Sequence, residues 1–222
     1  MIRALAIDLD GTITDAERRL DLPAVALLRE VVARIPVVLA TGNVLCYSEA
    51  AAVMLGLKGP LIAENGGAVK IGEEVEYFGD IARVEEAFRH LAERLLVRKA
   101  TLSDLRKREI ALTREVSAEE IRHTLQGFGG VEVVDTKFAI HIKDREVSKG
   151  RALAHVAGAL GIDLQEFAAI GDSPNDREML AMAGCSIGVG GLEDVSDYTT
   201  AEGYGAGGRE ALAHLLALLQ VH

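Results

Sequence analysis

The chain has 222 residues, 49% hydrophobic and 26% charged, with a formal net charge of −10. That length suits one large or two small domains with a real core, and the acidity argues against nucleic acid or an anionic membrane as the main partner. No apolar run approaches the roughly 20 residues that span a bilayer, and the amino terminus becomes a strand almost at once, leaving no room for a signal peptide.

Ala4-Leu5-Ala6-Ile7 reads as a buried strand that Gly11 breaks into a turn. Pro23 to Arg34 reads as a helix with Pro23 near its first turn. Val37 to Ala40 is a second buried strand, followed by a helix over Val44 to Leu57 and a third strand over Pro60 to Ala63. Gly66 to Ile71 and Val75 to Phe78, split by Gly72-Glu73, read as a β-hairpin. The same grammar returns late, with helix Lys149–Leu160, strand Phe167–Ile170, helix Asp176–Ala183 and strand Cys185–Val189. A last helix, Arg209 to Gln220, closes the chain behind the Gly-rich segment Gly203–Gly208. Strand–helix alternation implies an α/β fold with a doubly wound, Rossmann-like parallel sheet covered on both faces.

The middle differs. From Asp80 to Arg145 the chain is more charged and its strands alternate. Ile81 to Leu95 is expected as a helix and Glu109 to Thr113 as a strand. Ser117-Ala118-Glu119-Glu120 opens a helix as a capping box, and Val131–Val134 pairs with Phe138–Ile142. This reads as a small α+β module of residues 80–145 inserted into a core made of residues 1–79 and 146–222. Cys46 and Cys185 lack metal-ligand spacing and read as small buried hydrophobes in a reducing cytoplasm.

Chemistry gathers where strands end. Asp8 and Asp10 lie two residues apart, so they share a face at the carboxyl edge of the sheet. Two crowded acids resist ionising together, leaving one pushed toward a raised pKa beside an anionic partner. Thr41 and Gly42 follow the second strand, where a hydroxyl beside an exposed backbone suits a phosphoryl oxygen. Lys149 opens a helix, where its charge and the backbone N–H groups can meet an anion. Gly171-Asp172-Ser173-Pro174-Asn175-Asp176 brings two more acids to the same edge. Carboxylates converging without His or Cys imply a hard cation such as Mg²⁺.

Taken in order, Asp8-x-Asp10-Gly11-Thr12, Thr41, Lys149 and Gly171-Asp172-x-x-x-Asp176 resemble the haloacid dehalogenase superfamily of phosphotransferases. The position of the inserted module resembles that of the Cof-type phosphatases, and its small size most resembles the archaeal phosphoglycolate phosphatases. The resemblance implies Asp8 as nucleophile and Asp10 as the acid and base. It implies Mg²⁺ held by Asp8, the backbone carbonyl of Asp10, and Asp172, with Asp176 contributing directly or through water. Lys149 and Thr41 would then clamp phosphoryl oxygens, with Gly42 beside them, and Thr12 would fix the first loop. Ser173, Pro174 and Asn175 are expected to shape the metal loop, with Asn175 the candidate among them for bonding a catalytic group.

Asn43 departs from the Arg that many Cof-type relatives carry after the Thr-Gly pair, so it is read either as a phosphate contact or as a helix cap. In Phe138 to Lys143, alternation sends Ala139, His141 and Lys143 to one polar face, read first as solvated. If that face looks down on the site, His141 or Lys143 could meet a substrate carboxylate. The implied activity is Mg²⁺-dependent hydrolysis of a small phosphorylated acid, 2-phosphoglycolate first, in the cytoplasm, with a homodimer plausible for the family. A sugar-phosphate phosphatase is the near rival; a mutase and a receiver-like phospho-acceptor stand further off.

Overall fold

The computed structural model describes residues 1–136 and 138–220. In chain order its elements are β1 (Ala4–Ile7), α1 (Leu22–Val32), β2 (Val37–Ala40), α2 (Leu45–Leu55), β3 (Leu61–Ala63), β4 (Ala68–Ile71) and β5 (Glu74–Tyr77). These are followed by α3 (Ile81–Ala92), β6 (Glu109–Leu112), α4 (Ala118–Thr124), β7 (Val131–Asp135) and β8 (Ile140–Asp144). The remainder is α5 (Lys149–Leu160), β9 (Phe167–Gly171), α6 (Arg177–Met182), β10 (Cys185–Gly188), β11 (Tyr198–Thr199) and α7 (Tyr204–Leu218).

Eight strands form one sheet in the order β11-β10-β9-β1-β2-β3-β4-β5. Neighbours from β11 to β3 run parallel, and the β4–β5 hairpin extends the edge antiparallel. The strand period of two divides β1 between two cores. Leu5 and Ile7 pack with Val25 and Leu28 of α1, Leu55 of α2 and Leu212 and Leu215 of α7. Ala4 and Ala6 face the other way, where Phe167 and residues of α5 and α6 fill the space. The α/β, doubly wound core is therefore the fold observed.

Between α3 and α5 the chain builds a separate three-stranded sheet, β6-β8-β7, all antiparallel. Ile110, Leu112, Ile140 and Ile142 point to one face, against Val84, Ala87 and Leu91 of α3 and Ile121 of α4. The opposite face carries Glu109, Ala111, His141 and Lys143, with Ala111 paired to His141 and Glu109 to Lys143. Ser117 caps α4 by accepting from the Glu120 N–H at 3.1 Å.

Three local readings change. Cys46, expected to be a small buried hydrophobe, is exposed, and Cys185 is only partly buried. β11 has no counterpart among the expected strands; it is only two residues long, too short to show a period. The Gly-rich segment belongs to α7, which begins at Tyr204 rather than Arg209. Glycine is a poor helix former, but here close packing sets the choice. A Cβ on Gly208 would lie 2.0 Å from the Thr12 carbonyl oxygen, and one on Gly205 2.3 Å from Asp21 Cβ. The small residues let the first turns of α7 rest directly on the loop after β1.

Candidate active site

The carboxyl ends of β1, β2, β3 and β9 open toward the small sheet, and a cavity of about 460 Å³ lies there. Asp8, Asp10, Arg18, Thr41, Asp172 and His141 are among its lining residues. Asp8 directly follows β1, and its N–H donates to the Ile170 carbonyl at 3.0 Å, which fixes it against β9. Gly11, with φ +88°, turns the chain beneath Asp172; a Cβ there would lie 2.4 Å from Asp172 Oδ2.

Asp8, Asp172 and Asp176 are all buried, and one carboxylate oxygen from each lies within 4.8 Å of the others. The buried Lys149 ammonium donates to Asp8 Oδ1 at 2.6 Å and to Asp176 Oδ1 at 2.7 Å. Thr12 Oγ1 donates to Asp172 Oδ1 at 3.0 Å. Asp176 Oδ2 in turn accepts from the backbone N–H groups of Asp172 and Ser173, each at 3.1 Å, so the acidic loop is held from within. Burial pushes the Asp8 carboxyl well above the ordinary range; Lys149 opposes that push, while Asp176 and Asp172 add to it. Burial works against the Lys149 ammonium too, yet Asp176 and Asp8 outweigh it and raise its pKa. A divalent cation among the three acids would reverse the pressure on Asp8. The donor set, all carboxylate oxygen, fits a hard ion.

Asp10 stands apart from this cluster. Arg18 grips it with both arms, Nε to Oδ1 at 2.8 Å and Nη2 to Oδ2 at 3.0 Å. Asn43 Nδ2 donates to the same carboxylate and, at 3.0 Å, to Thr41 Oγ1. The side chain of Asn43 thus links Asp10 to Thr41; the cap of α2 is Val44, without a side-chain bond. Thr41 is fully buried, and its oxygen also accepts from the Asn43 N–H at 3.1 Å. The Gly42 carbonyl accepts from Arg106 Nη1 at 2.7 Å, so this loop is tied to the segment that leads into β6 rather than left exposed. Ser173 Oγ donates to Asn175 Oδ1, and Asn175 Nδ2 donates to Asn65 at 2.7 Å.

The solvated reading of the β8 face does not hold, since every residue of Ile140–Asp144 is buried. His141 Nδ1 lies 3.0 Å from Glu109 Oε1 on the cavity wall. Lys143 turns away, bonding Glu132 and the Val147 carbonyl. His90, His123 and His155 lie at least partly exposed, as expected.

Several residues at the site carried no weight in the sequence. Glu64 and Asn65 follow β3 with φ of 51° and 55°, both left-handed, and Glu64 accepts from the N–H groups of Lys107 and Arg108 at 2.8 and 2.7 Å. Asn65 donates to Glu109 Oε2 at 2.7 Å. Glu109 is wholly buried, which alone would raise its pKa. His141, Arg106 and Asn65 overcome this and hold it down at about 2. The available signal was Glu64-Asn65-Gly66-Gly67 at a third strand end, the same position that marked the other motifs.

The comparisons agree with this geometry. Residues 5–96 and 110–195 match the model of the haloacid dehalogenase-like hydrolase family. A phosphoglycolate phosphatase of Methanothermobacter thermautotrophicus is 44% identical over 220 residues, covering 97% of this chain and 99% of that protein. One from Archaeoglobus fulgidus is 42% identical, covering 96% of each. Among solved structures, Thermoplasma acidophilum 0175 superposes with a TM-score of 0.87 at 23% identity, over 96% of this chain and 98% of that one. A subclass IIB sugar phosphatase of the superfamily superposes at 0.79 with 21% identity, over 96% and 98%. With strand ends, buried acids and family match in agreement, the chain belongs to the haloacid dehalogenase-like hydrolases.

Proposed function

We propose that this site hydrolyses a small phosphomonoester bearing a carboxylate, 2-phosphoglycolate above all, through an aspartyl-phosphate on Asp8. The observation that carries the chemistry is the convergence of Asp8, Asp172, Asp176 and Lys149 in one buried cluster. The choice of substrate follows relatives at 42–44% identity over nearly the whole chain.

In this reading an oxygen of Asp8 attacks phosphorus in line and the ester P–O bond breaks. The leaving alkoxide takes a proton from Asp10. Water then attacks the phosphorus of the acyl-phosphate while Asp10 takes its proton, which frees phosphate and restores the Asp8 carboxylate. Lys149 and Thr41 hold the non-bridging oxygens, with the Gly42 backbone beside them, and Thr12 keeps the first loop in place. Asp8, Asp172, Asp176 and the Asp10 carbonyl would hold Mg²⁺, which when bound supplies charge neutralisation at the phosphoryl group. Residues 80–145 act as the cap that closes the site and excludes water.

The test is phosphate release from a panel of monoesters with Mg²⁺, comparing wild type with Asp8→Asn. The panel holds 2-phosphoglycolate, sugar phosphates, nucleotides and p-nitrophenyl phosphate. A preference for 2-phosphoglycolate that vanishes in the variant is expected. A preference for sugar phosphates would move the substrate to the rival class, and release by the variant would remove the nucleophile.

A further inference from the structure

Among the described residues that line the cavity, Arg18 is the cation that pairs with Asp10. Lys149 is committed to Asp8 and Asp176. Arg106 is committed to Glu109 and the Gly42 carbonyl, and Arg114 to Asp135 and the Thr136 carbonyl. The Arg18 guanidinium instead forks onto Asp10 and also donates to Asn43 Oδ1 at 2.8 Å. It lies between two rings, 5.3 Å from the Phe138 centroid and 5.6 Å from that of Tyr47.

The loop that presents it is self-supporting. Asp15 accepts from the N–H groups of Glu17 and Arg19 at 3.0 and 2.9 Å, and Thr14 bridges Leu20. Within that turn Arg18 takes φ +64°, a conformation that L residues rarely adopt without compensation. The loop spends backbone strain to hold one guanidinium over the cavity.

From this geometry we infer that Arg18 is the specificity-determining residue for the substrate's carboxylate, exchanging its fork from Asp10 to that group as the ester binds. The inference rests on the phosphatase reading above, in which the leaving oxygen bonds Asp10. Any ester that reaches Asp10 must displace part of its contact with Arg18, and the guanidinium so released can fork onto a second carboxylate placed beside it. A carboxylate one carbon from the leaving oxygen offers the same planar pair of acceptors within reach of the same fork. An ester without that group leaves Arg18 competing for Asp10. Selection then acts through an exchange of partners, and an ester that lacks the group is penalised by the bond it cannot replace.

The test compares 2-phosphoglycolate with ethyl phosphate, its counterpart with methyl in place of carboxylate, across wild type, Arg18→Gln and Arg18→Lys. Wild type is expected to prefer 2-phosphoglycolate by about 10²-fold or more in kcat/KM. Arg18→Gln should collapse that ratio to within a few-fold, mainly by raising KM for 2-phosphoglycolate. Arg18→Lys, with the charge but no fork, should fall between. Parallel losses on both esters would overturn the inference alone, because Arg18 would then act only by positioning Asp10; so would an unchanged ratio. Wild type inactive on every ester would overturn the phosphatase reading itself, and the inference with it. Melting curves of both variants check folding, and the lysine variant keeps the comparison available if the glutamine variant is unstable.

Discussion

Lys149 Nζ and Asp8 Oδ1 are 2.6 Å apart, both buried, and the same ammonium reaches Asp176 Oδ1 at 2.7 Å. Lys149 therefore bonds two of the three buried acids gathered there. Ion pairs this deep contribute little net stability when complete, but breaking one by removing a partner costs about 3–5 kcal/mol.

Lys149→Met should accordingly lower stability by an amount in that range when a chelator is present. Part of the loss should return with Mg²⁺, since an ion held by Asp8, Asp172 and Asp176 would supply positive charge in place of the ammonium. Thermal melts with and without Mg²⁺ measure this; a variant whose melting point ignores the ion would count against a cation site at these acids. Turnover should fall on the order of 10²-fold or more in the same variant.

Glu109 makes stability depend on acid. Its carboxyl titrates near 4.5 ordinarily and at about 2 when folded, held down by His141, Arg106 and Asn65 against the cost of burial. A depressed folded pKa means the contribution is fully present above pH 4.5 and is lost as pH falls toward 2. The whole effect amounts to roughly 3 kcal/mol. Glu109→Gln should flatten the urea-melt stability between pH 5 and pH 3 relative to wild type, at about those pH values. An unchanged slope would mean that other carboxylates carry the acid sensitivity.

Gly208→Ala tests how α7 supports the site. Alanine in a helix ordinarily gains about 1 kcal/mol over glycine. Here its Cβ would sit 2.0 Å from the Thr12 carbonyl oxygen, so overpacking at about 1–3 kcal/mol wins. The variant should melt lower and lose activity together, because the strain falls on the loop that carries Asp10 and Thr12. A higher melting point with full activity would show that α7 yields without moving that loop.

Much of this was legible because strands that end in chemistry leave short, punctuated signals. β1, β2 and β9 are apolar runs that stop at Asp8, Thr41 and Asp172, and parallel topology brings such ends to one edge. Arg18 and Asn65 were not legible. Each acts through a left-handed backbone that no period announces, on a side chain that reads as ordinary loop polarity. Glu109 was hidden differently. It alternates correctly for a strand, but the partner that meets it, Asn65, comes from the turn after β3 and is not announced by that alternation. His141 shows the same limit, since alternation gave its face and could not say what the face would meet.

Asp8 is the residue proposed to carry the phosphoryl group. The most direct measurement is to mix enzyme, Mg²⁺ and 2-phosphoglycolate, quench in acid within the first turnover, reduce with borohydride, and map the modified peptide by mass spectrometry. Borohydride converts an acyl-phosphate to the alcohol, so homoserine is expected at position 8 in wild type and an unmodified peptide in Asp8→Asn. Modification at another residue, or phosphate release with none at position 8, would contradict it.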